Sequence, residues 1–176
     1  MSARLIVERD AVEALLERPC RARLAGVSAD LQRYDLLFDV RTLVRGDDVV
    51  IREEERLVPV TYLLAPDHPF ISPIVVAGAG DLWNTHVHDP RTPGTSLPPI
   101  PMMCLGGFAP DRRLADWVTA TYYVLGWARI ATDHAVNREA AAWARREMAS
   151  GRFPIETRPF FVRASASARL RAGAPS

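Results

Sequence analysis

Apolar positions along the chain change period three times, and each change marks a different kind of element. Near the start, Val12, Leu15 and Leu16 form one helical stripe. Asp10 stands where an N-cap belongs, with Glu13 three residues on, and Pro19 ends the run; residues 2–7 extend it at the front. From Asp35 to Arg45 the period drops to two. Leu36, Phe38, Val40, Thr42 and Val44 share one parity, as on a sheet with one buried face. Gly46-Asp47-Asp48 is a turn, Val49-Val50-Ile51 begins a partner strand, and Glu53-Glu54-Glu55 reads as a solvated loop or edge. A third strand is predicted from Leu57 to Ala65, with Pro59 placing its start at an edge or irregularity, and a fourth at Ile74–Ala77.

Residues 81–110 carry no period, and five of the 14 prolines fall between Pro90 and Pro101. A loop of that length inside a folded domain is usually functional or disordered. Helical periodicity returns from Asp111 to about Ile130, through Leu114, Trp117, Val118, Thr121 and Leu125. Asn137 caps another helix, with Ala140, Ala141, Ala144 and Met148 along one side and Gly151 after its end. Strands followed by helices predict an α+β fold: an N-terminal helix, a four-stranded antiparallel meander, a loop that carries the chemistry, and C-terminal helices. Residues 1–163 form one domain on this reading, and 164–176, rich in Ala, Ser, Arg and Gly, a disordered tail.

Composition narrows the function. The chain has 176 residues, 48% hydrophobic and 24% charged, with a net charge of +1. That balance gives no electrostatic case for nucleic acid, and no apolar run is long enough to span a membrane. The expectation is a cytoplasmic protein with both cysteines, Cys20 and Cys104, reduced. Cys20, among Arg18, Arg21 and Arg23, reads as a packing residue at a helix exit. No phosphate-loop or dinucleotide fingerprint is present, so no cofactor is expected. All 22 basic residues are arginine; the chain contains no lysine.

The reactive side chains crowd into or beside the aperiodic stretch: Asn84, His86, His88, Asp89 and Cys104, with Asp133 and His134 between the last two helices. Cys104 precedes Gly106-Gly107, which frees the backbone there; alternatively it is buried with Met102, Met103 and Leu105. His86 and His88 with Cys104 and either Asp89 or His134 also make a possible zinc set.

The order and spacing of several short motifs resemble the ubiquitin-conjugating enzymes, the E2 family, and in particular its bacterial E2-like members. Tyr62–Phe70 followed by Pro73 is similar to the family's strand and turn, and His86-Val87-His88 stands where the family has His-Pro-Asn or His-Pro-His. Cys104-Leu105-Gly106 resembles the active-site cysteine with its following leucine, and Leu114–Leu125 the helix after it. Asp133 and Asn137–Ala141 resemble the acidic loop and the entry to the next helix; Phe153-Pro154 through Phe160 resembles the C-terminal run. The match covers about residues 57–160 and departs from the family in two places. Cys104 follows His88 by sixteen positions, far more than is usual, and His88 and Val87 replace asparagine and proline.

The resemblance implies the ubiquitin-conjugating fold and a thioester on Cys104. His88 would act as the oxyanion donor, Asp133 would orient the incoming amine, and His86 would order the loop. It also implies partners: an E1-like activating enzyme that uses the ATP, a ubiquitin-like protein, and a JAB-type deconjugating metalloprotease, in a setting such as antiphage defence. The competing readings are a binding module of the same fold that holds a ubiquitin-like protein without catalysis, and the zinc site.

Overall fold

Burial of one sheet face under two helices organises the chain. The computed structural model describes residues 3–91, 98–106 and 112–162. Helix α1 spans Ala3–Glu17, and five antiparallel strands follow in sequential order: β1 (Ala22–Val27), β2 (Arg33–Arg45), β3 (Ile51–Leu63), β4 (Ile74–Ala77) and β5 (Met102–Met103). Helices α2 (Leu114–Leu125) and α3 (Arg138–Glu147) close the order, α3 running into a 3₁₀ turn at Met148–Ser150. The fold is α+β, with an N-terminal helix, an antiparallel meander and C-terminal helices.

The two-residue period of β2 is realised: Leu36, Phe38, Val40, Thr42 and Val44 are buried. Val58, Val60 and Tyr62 of β3 join them beneath Leu114, Trp117, Val118, Tyr122 and Leu125 of α2. The Tyr62 hydroxyl donates to Thr121 Oγ1 (2.7 Å), which donates to the Trp117 carbonyl (2.9 Å), so these two hydroxyls inside the core are partnered. A second cluster gathers Leu43, Trp83, Trp127, Ala140, Ala144 and Ile155. There the Trp127 ring stacks on Phe153 (5.3 Å) and meets Trp143 edge-on (5.6 Å).

Several expectations are corrected. The sheet has five strands, not four. β1 and the two-residue β5 are additional: β1 is short, and Ala25 and Gly26 blur its alternation. Val49–Ile51 and Leu57–Ala65 are not separate strands: β3 runs unbroken, and Glu53, Glu54 and Glu55 pair with Leu43, Thr42 and Arg41 on a long hairpin. Pro59 lies inside β3 opposite Leu37, one residue before pairing with β4 begins at Val60. Asp10 is not a cap. It is exposed in mid-helix beside Arg9, because burial of Leu5, Glu8 and Val12 pulls α1 back to Ala3. Glu8 itself accepts from the Leu114 backbone N–H (2.6 Å), so α1 caps the start of α2.

Helix α2 stops at Leu125 rather than near Ile130. Trp127 takes a left-handed φ of 59° that turns its ring into the second cluster. At Gly126 a Cβ would lie 2.5 Å from that of Glu156, so the chain passes there only as glycine. Asn137 does cap α3, accepting from the Ala140 N–H (2.9 Å), and Ala140, Ala141 and Ala144 are buried, but Met148 faces solvent. Gly151 follows with φ 70°. The predicted tail at 164–176, the middle of the proline-rich stretch, Gly107 and Asp111 lie outside the described residues.

Candidate functional site

The chain after β4 folds back beside the far end of β2. The Arg45 N–H donates to the Asp81 carbonyl (2.8 Å) and the Trp83 N–H to the Leu43 carbonyl (2.9 Å). Asn84, fully buried, then fastens the loop to α2: its Nδ2 donates to the Val124 carbonyl (2.7 Å), while its Oδ1 accepts from the His86 N–H (2.9 Å). One side-chain amide thus fixes where His86 begins.

Strand β5 lies between two partners. Met102 and Met103 pair with Val76 and Val75 of β4 on one side, and Val87 bridges Met103 on the other. The His88 N–H donates to the Met102 carbonyl (2.8 Å), and the Cys104 N–H to the His86 carbonyl (2.8 Å). His86 Nδ1 donates in turn to the Cys104 carbonyl (2.6 Å). Because the acceptor is a carbonyl, the proton resides on Nδ1. Burial holds the His86 pKa below its ordinary value against the opposing pull of that hydrogen bond, and Arg129 adds to the depression. The ring is therefore neutral at pH 7, and Cys104 is clipped at both its N–H and its C=O.

Met103 and Leu105 point inward, each 7% exposed, while Cys104 between them is exposed. The alternative of a cysteine buried among its apolar neighbours is overturned by this alternation. Gly106, with φ 104°, supplies the backbone freedom immediately after it. Cys20 is half-buried, its Sγ donating to the Ala22 carbonyl (3.4 Å), and neither cysteine is in a disulfide.

His88 is 2% exposed, and its Nε2 is buried with no hydrogen bond among the described residues. Asp89 is also buried. Burial alone would raise its pKa, but the Arg91 side chain grips both carboxylate oxygens (Nε 3.0 Å, Nη2 3.1 Å) and holds it below the usual range. Arg91 reaches on to the Arg45 carbonyl (3.4 Å), tying the entry of the proline-rich stretch to the end of β2.

The second loop is sewn to the first by a residue that sequence reading passed over. Thr85, fully buried, accepts from the Val136 and Asn137 N–H groups at its carbonyl (3.1 and 3.4 Å) and from Ala131 N–H at its hydroxyl (3.1 Å). A threonine between two candidate residues carries no sequence signal of such a role. The loop so fixed exposes Asp133 and His134. Asp133 lies 3.5 Å from Arg145 Nη2 and makes no hydrogen bond to Cys104, His86 or His88. Asn84, His86 and Cys104 are thus directly joined, His88 is held beside them through its backbone bond to Met102, and Asp133 is joined to them through Thr85. Among the described residues no three His, Cys, Asp or Glu side chains come together to hold a metal ion, so the zinc arrangement has no geometry here. No described helix is long and apolar enough to cross a membrane. No family model matches the chain, and no curated protein matches its sequence.

Proposed function

We propose that this chain is an E2-like conjugating enzyme with the ubiquitin-conjugating fold, carrying a ubiquitin-like protein as a thioester on Cys104. One observation carries the reading: an exposed thiol held by the backbone on a fixed edge, with both sequence neighbours turned inward. A nucleophile on a rigid mount needs little reordering to meet a large macromolecular electrophile. The motif order of Tyr62–Phe70, His86–His88, Cys104–Gly106 and Asn137–Ala141 supports the same assignment.

The chemistry balances in two steps. The Cys104 thiolate attacks the thioester carbonyl that joins the modifier's C-terminus to an E1-like enzyme; a new C–S bond forms and the donor cysteine leaves as thiolate. A neutral amine then attacks the Cys104 thioester. The C–N bond forms, Cys104 leaves as thiolate, and the amine loses a proton. His88 is assigned to hydrogen-bond the oxyanion of that second step, Asp133 to orient the amine, and His86 and Asn84 to hold the mount. The partners are an E1-like enzyme, a ubiquitin-like protein and a JAB-type protease that reverses the bond, all acting in the cytoplasm.

The test is to incubate the protein with its activating enzyme, ATP and the ubiquitin-like protein, then resolve adducts without reductant. Wild type should gain an adduct that dithiothreitol removes; Cys104→Ser should gain at most an ester that dithiothreitol leaves intact. A wild type that never charges overturns the proposal.

The lysine-free surface fits this reading, since arginine keeps charge without offering a neutral nucleophile. Arg129, exposed and near enough to His86 to influence it, is the place to restore an amine. Arg129→Lys should label itself once charged, visible as an adduct that reductant does not remove. Absence of that adduct would show that lysine here carries no penalty.

A further inference from the structure

A polar depression of about 560 Å³ opens beside the Asp133 loop, its polar lining Thr132, Asp133, His134, Arg138 and Arg145. Its charge is unbalanced. Arg138 and Arg145 lie two turns apart on one stripe of α3. Arg145 bonds to the Thr132 carbonyl and faces Asp133, which uses up the single carboxylate in the depression. The acids of α3 are engaged elsewhere: Glu139 with Arg45 (2.5 Å) and Glu147 with Arg152 (3.7 Å). Among the described residues Arg138 has no ion-pair partner, and neither have Arg129 at the start of the loop and Arg146 on α3. The chain as a whole is close to neutral, so this is a local excess of positive charge, not a general one.

The depression is also fixed in place. Thr85 holds both ends of the 131–137 loop, and the residue after Thr85 is His86, whose ring is bonded to Cys104. Whatever sits in the depression is therefore registered to the thiol.

We propose that this basic depression selects the acceptor: it takes acidic residues flanking the amine that attacks Cys104. The inference rests on the thioester reading above and adds a substrate class to it, namely protein segments in which the acceptor amine lies close to Asp or Glu. The activating enzyme is a weaker candidate for the same surface, because the depression is built around Asp133, the residue assigned to the amine.

The experiment uses wild type charged and separated from the activating enzyme, then mixed with two lysine peptides of equal length. One carries Asp and Glu around the lysine, the other Ser and Asn. The acidic peptide should discharge the thioester faster, by about fivefold for one well-placed ion pair. That ratio should approach one near 1 M salt, where screening acts over about 3 Å. Arg138→Glu should lose the preference while charging, and discharge onto the neutral peptide, stay as in wild type; both readouts also establish that the variant is folded. Equal rates on the two peptides, or a preference that survives Arg138→Glu, overturns the proposal. So does Arg138→Glu slowing charging itself, which would assign the surface to the activating enzyme or modifier. If no adduct forms before any peptide is added, the thioester reading has failed, and the acceptor proposal with it.

Discussion

His88→Ala is expected to leave charging of Cys104 intact and to slow discharge onto amines by about 10²–10³-fold, the usual cost of losing one oxyanion donor. Both steps expel a thiolate; they separate because the neutral amine of the second is a weaker nucleophile towards a thioester than the thiolate of the first, so its oxyanion depends more on the donor. Geometry supports His88 for the role. Its backbone pairs with Met102 and that of Cys104 with His86, which places His88 two residues along the chain from His86, whose ring holds the Cys104 carbonyl. Its Nε2 is buried and free of partners among the described residues, so a ring N–H there is an unspent donor in a low-dielectric wall. Truncating a buried ring also removes packing, so a second variant is needed. His88→Asn restores an amide donor of the kind the E2 family uses and should recover much of the lost rate. Single-turnover discharge of pre-charged enzyme measures both. If His88→Ala discharges as fast as wild type, His88 is a packing residue and the oxyanion must be met by backbone.

Glu156→Ala should cost about 3 kcal/mol of stability at pH 7, as expected when a buried carboxylate whose charged form the fold favours is removed with its hydrogen bonds. The carboxylate accepts from the Arg41 backbone N–H (2.8 Å) and the Arg158 backbone N–H (2.8 Å), and Arg158 Nη2 lies 2.6 Å away. These bonds pin the C-terminal run to β2 directly behind Gly126. Burial works to raise the Glu156 pKa, but Arg158 and the two backbone donors outweigh it and lower it to about 2. A carboxyl whose pKa falls on folding stabilises the fold above its unfolded pKa, and loses that contribution as pH falls through the folded value. The gap between wild type and variant should therefore be full above about pH 5 and should shrink steadily towards about pH 2. Urea midpoints across that range measure it. A gap that is the same at pH 7 and at pH 2.5 would mean the loss is one of packing, not of charge.

The fold was legible where burial and periodicity agree. β2 shows its inward parity in the sequence because one face is apolar and the other charged, and α3 is announced by Asn137 and closed by Gly151. β1 was hidden because it is only six residues long, its exposed Ala25 is as apolar as the half-buried Ala22, and Gly26 stands at an inward position. The run Glu53–Glu55 read as a loop because cross-strand pairing with β2, which makes it a strand, is not a local property. Glu8 was equally invisible: a charged residue in an apolar helix face makes sense only beside the Leu114 N–H, Arg113 and His68, all far along the chain.

At the site, the sequence named the cysteine, both histidines and the asparagine. It left open whether Cys104 was buried, which the alternation Met103, Cys104, Leu105 decides. It missed Thr85 because its work is done by a backbone carbonyl and one hydroxyl reaching a distant loop.

The central claim is a thioester at Cys104, and intact mass of the wild-type protein tests it most directly. After incubation with the activating enzyme, ATP and the ubiquitin-like protein, the mass should rise by that of the modifier less one water. Dithiothreitol should return it to the starting value, and digestion should place the modifier's C-terminus on the peptide containing Cys104. An unchanged mass, or an equal gain by Cys104→Ala, would contradict the account.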